Sequence, residues 1–294
     1  MAKLRIGISG WRYPPWRGRF YPADLPQRAE LEFAARHFAS IELNGTFYSL
    51  QRPEYFARWR DQTPADFVFS VKAPRFITHI KRLREIGSTL PNFLASGLLE
   101  LRGKLGPVLW QLPPSLRYDK DLIGDFLRSL PRDTEQARRL ARRHDERVKG
   151  RASLTIDRNR RLRHALEVRH PSFCDPGFVA LARRHGVAIV VTDSAGHWPE
   201  IQDVSAGFMY LRLHGEGELY AGGYTEDALD DWARRIRAWS GGGEPGDAKR
   251  VSPRPPPARK TRDVYCYFDN DAKVKAPGDA QSLMRRLDLH WGRD

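Results

Sequence analysis

Residues 207–215 read GFMYLRLHG and give the clearest indication of the architecture. Their alternation places Tyr210, Arg212 and His214 on one face of a predicted strand, and Leu211 and Leu213 on the other. A strand with an apolar face and a polar face, in a sheet covered by helices, is typical of a barrel strand between outer helices and a functional interior. We therefore expect the polar face to line an enclosed site.

Seven further strand-like segments accompany this one, at residues 4–10, 40–44, 66–72, 106–112, 164–170, 187–193 and 264–270. Most of them alternate with helical patterns, which predicts an α/β fold of the parallel (β/α)8 TIM-barrel type. Residues 194–206 are too short and too rich in turn-forming residues for a helix, so the sixth crossover is predicted to be irregular. A doubly wound open sheet is the alternative, weakened because no Gly-rich dinucleotide loop follows the first strand.

The length of 294 residues suits a single barrel domain, and we predict one domain over residues 1–294. Residues 241–262 combine glycine, proline and charge without apolar periodicity. This composition predicts a flexible surface insert within the domain.

The net charge of +14 would attract polyanions, including nucleic acid. Solvated arginine-rich helix faces explain the same charge without any nucleic-acid partner. Cys174 and Cys266 form no disulfide or zinc pattern, which favours a reducing compartment. Because no long apolar stretch opens the chain, we predict a cytoplasmic protein without a membrane segment.

If the fold is a barrel, charged and polar groups from seven strands meet at its C-terminal rim, where barrel active sites are built. They are Glu42, Asn44, Lys72, Gln111, Glu167, Arg169, Asp193, Arg212, His214 and Asp269. Aromatic residues in the loops after the first two strands, Trp11 and Tyr48 among them, are predicted to form a wall of the binding site.

The mixed charges predict both substrate binding and proton transfer. Lys72, Arg169 and Arg212 would clamp a phosphate or carboxylate. Asn44, Gln111 and Asp269, with the aromatic pair, complete the predicted substrate-binding set.

For catalysis we predict Glu167, Glu42, Asp193 and His214. Either glutamate would act as the base, and His214 would act as the acid because histidine titrates near neutral pH. The alternative is a network of interior ion pairs that only satisfies itself. Glu167, Asp193 and His214 are reasonable ligands for one divalent metal ion, but three cations at the same rim oppose a metal there. No cofactor is predicted.

Several motifs resemble those of the YecE-like family, domain of unknown function 72. They are IGISGW from Ile6, IELNGTFYSL from Ile41, FSVKAPRFITH from Phe69, GPVLWQLPPS from Gly106, LEVRHPSF from Leu166, YLRLHG from Tyr210 and YCYFDND from Tyr265. The resemblance spans nearly the whole chain and implies a TIM barrel without an established activity. It also implies Asn where Asp269 stands, and it assigns no role to the basic, proline-rich insert.

These observations lead to one main prediction and two competitors. The main prediction is an enzyme, a hydrolase, lyase or isomerase, that uses acid/base chemistry on a small anionic substrate, phosphate-bearing or sugar-like. The first competitor is a nucleic-acid-binding or nuclease-like barrel that uses its basic surface and its aromatic side chains. The second is a non-catalytic scaffold whose rim charges are fully paired.

Overall fold

A computed structural model describes residues 1–292 as a closed barrel of parallel strands that follow one another in chain order around the ring. The strands are β1 (Leu4–Ser9), β2 (Ser40–Leu43), β3 (Val68–Lys72), β4 (Leu105–Gln111), β5 (His164–Glu167), β6 (Ala188–Asp193), β7 (Phe208–Leu213) and β8 (Asp263–Phe268). The ring closes where β8 pairs with β1, with Ile8 opposite Phe268. The predicted TIM-barrel fold is confirmed.

Helices cover the outside of this ring. They are α1 (Glu30–His37), α2 (Gly45–Tyr48), α3 (Pro53–Asp61), α4 (Thr89–Ala95), α5 (Lys120–Ser129), α6 (Thr134–Ala141), α7 (Pro176–His185), α8 (Glu226–Ser240) and α9 (Ala276–Arg286). Local sequence sets their ends. The Asp175 carboxylate accepts from the amide N–H groups of Gly177 and Phe178 at the start of α7, and Gly186, with φ of 62°, ends that helix.

Alternate residues of each strand face the barrel axis. Tyr210 and Tyr267 belong to a buried interior cluster, whereas their neighbours Leu211 and Cys266 pack in the core between the strands and the helices. Because both faces of each strand are covered, a polar group in the interior is costly unless it finds a partner.

A layer of hydroxyl groups fills the middle of the barrel. The Tyr267 hydroxyl lies 2.6 Å from Ser40 Oγ and 2.8 Å from Ser70 Oγ, so β8, β2 and β3 are joined across the interior. Directly above, toward the C-terminal ends of the strands, the interior becomes charged. We call this end of the barrel the C-terminal mouth.

The crossover from β6 to β7 contains no helix in the described chain, as predicted. It is held by side chains instead. Ser205 Oγ accepts from the Ile189 amide and donates to the Val187 carbonyl oxygen, both at 2.8 Å.

Residues 241–262 also lack regular secondary structure beyond the first turn after α8. The buried carboxylate of Asp203 accepts from the amides of Val251 and Ser252, at 2.6 and 3.1 Å. Arg262 donates to the carbonyl oxygens of Gly243 and Pro257, both at 2.9 Å. The segment is therefore anchored at several points, and its flexibility stays a prediction.

The aromatic loop after β1 mainly covers the side of the barrel. Trp16 and Tyr21 are buried, and the Phe20 ring packs edge-on against Phe33 of α1 with ring centres 5.4 Å apart. The aromatic side chains of this loop thus pack in or against the core.

Within residues 1–292, no helix is both long and apolar enough to cross a lipid bilayer. Cys174 is exposed and Cys266 is buried, and both are free thiols.

Candidate active site

Arg212 of β7 is the centre of the charged residues at the C-terminal mouth. Its guanidinium group binds three carboxylates: Nε and Nη2 donate to Glu42 at 3.1 and 2.9 Å, Nη1 to Glu167 Oε2 at 2.9 Å, and Nη2 to Asp269 Oδ2 at 2.7 Å. Arg212, Glu42 and Glu167 are all fully buried. The alternation of residues 207–215 therefore directs Arg212 inward, as predicted.

Glu42 of β2 is held by neutral donors as well. Its Oε2 accepts from the Tyr210 hydroxyl at 2.6 Å, and its Oε1 accepts from Ser9 Oγ at 2.8 Å. Tyr210 is two residues before Arg212, so one strand face supplies both donors to the same carboxylate. This bonding fixes the orientation of Glu42.

Arg169, just after β5, is the second cation. Its Nε donates to Glu167 Oε1 at 2.7 Å, and its guanidinium carbon lies 3.5 Å from the ring centre of Trp198. Gln111 Nε2 lies 3.1 Å from both oxygen atoms of Glu167. Glu167 therefore accepts from Arg212, Arg169 and Gln111 together.

Lys72 at the end of β3 differs from the two arginines. Among the described residues, no carboxylate oxygen lies within the 4.0 Å that defines an ion pair with its Nζ. Nζ instead lies 4.4 Å from the centre of the Phe47 ring, a cation–π contact. Burial lowers the pKa of Lys72 to about 8, and the nearby Arg212 acts in the same direction.

His214 follows β7 and is fully buried. Its Nδ1 lies 3.1 Å from Asp269 Oδ2, and the rings of Trp198 and Tyr220 pack edge-on against the imidazole. Burial lowers the pKa of His214, so the imidazole is neutral at physiological pH. Its Nε2 has no hydrogen-bond partner among the described side chains and backbone.

Glu167 and Asp269 are held in the ionised form. Burial alone would raise the pKa of Glu167, but Arg169 and Arg212 hold it well below its usual range. Burial is likewise outweighed at Asp269, whose pKa is held far below normal by Arg212 and His214. We call Glu42, Lys72, Glu167, Arg169, Arg212, His214 and Asp269 the charged cluster.

Apart from Gln111, which donates to Glu167, four predicted site residues lie outside the charged cluster. Asp193 points outward from β6, where Tyr224, just before α8, and Trp232 of α8 face its carboxyl, and burial raises its pKa. Its backbone still contributes, since the Asp193 carbonyl oxygen accepts from the His214 amide at 2.9 Å. Trp11 and Asn44 line a separate cleft beside the mouth, and the Tyr48 side chain is exposed on α2.

The three residues considered as metal ligands do not converge, because Asp193 faces away from Glu167 and His214. In residues 1–292 no group of three or more His, Cys, Asp or Glu side chains has an arrangement that could hold a metal ion. Of the two aspartates predicted at the rim, Asp269 contacts Arg212 and His214, whereas Asp193 does not.

Asp271 is a further candidate that the sequence analysis did not select. It is half-buried, and burial together with Asp269 raises its pKa to about 6. The sequence does indicate this residue, because the DND run at residues 269–271 places a second acid just beyond β8.

Comparisons with known proteins agree with this fold. A family model described as "Protein of unknown function DUF72" matches residues 5–293. The chain belongs to the DUF72 family. The family resemblance of the sequence motifs is thereby confirmed.

Curated relatives carry equally general names. The UPF0759 protein YecE of Escherichia coli (strain K12) is 34% identical over 129 residues, which cover 44% of this chain and 44% of that protein. The UPF0759 protein YunF of Bacillus subtilis (strain 168) is 28% identical over 138 residues, 42% of this chain and 48% of that protein. The matched region thus spans less than half the length of either relative.

Two crystal structures of DUF72 family proteins share the barrel. The protein from Thermotoga maritima MSB8 has a TM-score of 0.71 at 23% identity, covering 97% of this chain and 99% of that one. The protein from Enterococcus faecalis V583 has a TM-score of 0.70 at 17% identity, covering 98% and 96%. At such low identity, these likenesses show the fold alone.

Proposed function

We propose that the C-terminal mouth is the active site of an enzyme that performs acid/base chemistry on a small anionic substrate, phosphate-bearing or sugar-like. The observation that carries this proposal is the uncommitted ammonium group of Lys72. Both neighbouring arginines are paired with carboxylates, whereas Lys72 has only a cation–π contact with Phe47. A buried cation without an ion pair is costly unless a ligand compensates it.

Proton transfer needs groups that titrate near the working pH, and the mouth holds two of them. Burial lowers the pKa of Lys72 to about 8 and raises the pKa of Asp271 to about 6. At neutral pH, Asp271 is therefore mainly ionised and can act as a base, while Lys72 is mainly protonated and can act as an acid.

The remaining charges have a supporting role in this proposal. Because its pKa is held so low, Glu167 is a weak base and mainly orients Arg212 and Arg169. Glu42 is tied to Arg212, Tyr210 and Ser9 in the same way. His214 is buried and neutral, and in this proposal its unbonded Nε2 accepts a hydrogen bond from a substrate hydroxyl that enters the mouth.

Thermal melts with phosphate, sulfate and sugar phosphates test the proposal. An anion at one hundred times its dissociation constant should raise the free energy of unfolding by about 2.7 kcal/mol. The increase should vanish in Lys72→Met and persist in Lys120→Met, a lysine exposed at the start of α5. If no anion raises the free energy of unfolding, the non-catalytic scaffold is favoured over the enzyme.

The competing function, nucleic-acid binding, rests on the net charge of +14. It predicts affinity for DNA or RNA that falls steeply with salt and is unchanged in Lys72→Met. Anion binding that depends on Lys72 favours the enzyme.

A further inference from the structure

A cleft of about 600 Å³ opens beside the C-terminal mouth, outside the barrel. It lies between the loop after β1, the start of α1 and the exposed face of α3. Its size is typical of a site for a small molecule. We call it the aromatic cleft, and its main side chains are Trp11, Tyr55, Trp59, Arg12, Arg28 and Arg58.

Aromatic rings form one wall of the aromatic cleft. Trp11 and Trp59 meet edge to face with ring centres 5.6 Å apart, and Tyr55 lies 6.3 Å from Trp59. Tyr55 and Trp59 are four residues apart on α3, which puts both rings on the same helix face. Tyr55 is 42% exposed, and the Arg58 guanidinium carbon lies 6.0 Å from its ring centre, so a ligand that reaches this ring also meets a cation.

All the charged side chains that line the aromatic cleft are positive. Its lining contains the three arginines and no carboxylate. Within the described residues, Arg12, Arg28 and Arg58 form no ion pair, while the nearby Arg17 and Arg60 bind Glu30 and Asp61. Three guanidinium groups beside one cavity, without an acid, form a site for an anionic group such as phosphate.

Asn44 adds an unsatisfied acceptor at the inner edge of the cleft. Its Oδ1 is buried and accepts no hydrogen bond from the described residues. Buried amide oxygen atoms nearly always have a donor, so a ligand that brings an N–H or O–H group here would complete the site.

We propose that the aromatic cleft binds a mononucleotide. The base would stack against Tyr55 and Trp59, the phosphate would bind the arginines, and an amino or hydroxyl group would donate to Asn44 Oδ1. An aromatic ring, a phosphate and a hydrogen-bond donor on one small molecule match the three features of the cleft.

This site is separate from the charged cluster. Tyr13 lines the cleft and donates from its hydroxyl to the Ser9 carbonyl oxygen at 2.6 Å. Its ring therefore lies between the cleft and Ser9 of β1, whose own hydroxyl donates to Glu42. Binding in the cleft therefore does not depend on Lys72, and the two proposals can fail independently.

Calorimetric titration of the full chain with AMP, adenosine and inorganic phosphate tests the inference. AMP should bind at least tenfold more tightly than adenosine or phosphate alone, because only AMP occupies both parts of the cleft. Arg58→Gln and Tyr55→Ser should each weaken AMP binding tenfold or more. Lys72→Met removes the proposed anion site of the mouth, so in this variant AMP should still bind at least tenfold more tightly than phosphate.

Arg52→Gln is the matched control, since Arg52 is exposed just before α3 but does not line the cleft. Melting curves establish that each variant is folded. The inference is overturned if AMP does not bind, if phosphate alone binds Lys72→Met as tightly as AMP does, or if Arg52→Gln weakens binding as much as Arg58→Gln. Tighter binding of a single-stranded oligonucleotide that all arginine variants weaken equally would show a general polyanion surface instead.

Discussion

Arg212 and Glu42 form a two-point ion pair across the barrel, with Nε 3.1 Å from Oε2 and Nη2 2.9 Å from Oε1. The residues come from β7 and β2, which are not neighbours in the ring. The pair therefore braces opposite walls of the interior. Because Glu167 and Asp269 share the same guanidinium group, the arginine compensates three buried acids at once.

Arg212→Ala should consequently destabilise the fold. Removal of one partner from a buried ion pair typically lowers the free energy of unfolding by about 3 to 5 kcal/mol. Urea denaturation at neutral pH measures the change, with the exposed Arg139→Ala as control. A loss below about 1 kcal/mol would mean that water enters the mouth and compensates the acids.

Lys72→Met should have the opposite effect on stability while it abolishes anion binding. Replacement of a buried, poorly compensated charge by an apolar side chain of similar length should stabilise the protein by about 1 to 3 kcal/mol at pH 7. A gain in stability with a loss of binding indicates a residue retained for function. Reduced stability in Lys72→Met would show that the lysine is a structural cation.

The pH dependence provides a second test of Lys72. Its pKa is about 8 in the folded protein and 10.5 when unperturbed, so between these values the unfolded chain binds more protons. Stability contributed by this group therefore rises with pH from about 8 to 10.5. Wild type should show this rise relative to Lys72→Met in denaturation series over that range, and identical slopes would contradict the shifted pKa.

The buried His164 should make the stability of the fold depend on pH below 6.5. The Trp110 indole N–H donates to its Nδ1 at 3.1 Å, and its Nε2 lies 2.7 Å from the Pro131 carbonyl oxygen, which fixes a neutral imidazole. Burial lowers the pKa of His164 from 6.5 to about 4. The unfolded chain then binds more protons between these values, so stability falls by about 3 kcal/mol as the pH drops from 6.5 to 4.

His164→Gln retains a donor and an acceptor but cannot take up a proton in this range. Its stability should therefore depend less on pH below 6.5 than that of wild type. The exposed His197→Gln serves as control and should follow wild type. Parallel curves for all three proteins would refute a neutral, buried His164.

Asp269→Asn tests the position at which the resemblance implies asparagine. Arg212 would keep Glu42 and Glu167, so the fold should persist. Asp269 raises the pKa of Lys72 against the effect of burial, and its neutralisation should move that pKa below about 8. NMR titration of ¹³C-methylated lysines measures the shift, and Asp24→Asn, exposed in the first loop, is the control.

The sequence predicted the barrel because eight strand-like segments mostly alternate with helical patterns, and it predicted the inward direction of Arg212 because β7 has a polar and an apolar face. In FMYLRL, polar and apolar residues identify the interior face of Arg212 without a structure. β6 carries no such signal, because AIVVTD is apolar on both faces until Thr192. In the structure Thr192 points inward, beside Arg212, whereas Asp193 points outward. The composition of that strand could not show this.

The sequence also could not show which charged groups of the cluster pair with one another. Convergence of Lys72, Arg169 and Arg212 was predicted, but the lysine's lack of an ion pair depends on the reach of each side chain within the closed ring. The aromatic cleft was hidden for a similar reason. Trp11 and Trp59 are 48 positions apart and meet only through the packing of α3 beside the first loop.

The ring of strands also sets an order of events during synthesis. Ser40 bonds the hydroxyl of Tyr267, a residue 227 positions later. β1 likewise has only one neighbouring strand until β8 has been synthesised. Until the last strand leaves the ribosome, the edges of β1 and β7 are unpaired and Arg212 lacks Asp269. Such edges readily pair with other chains. The nascent protein thus completes its interior in one late step, and chains that stop before β8 should aggregate.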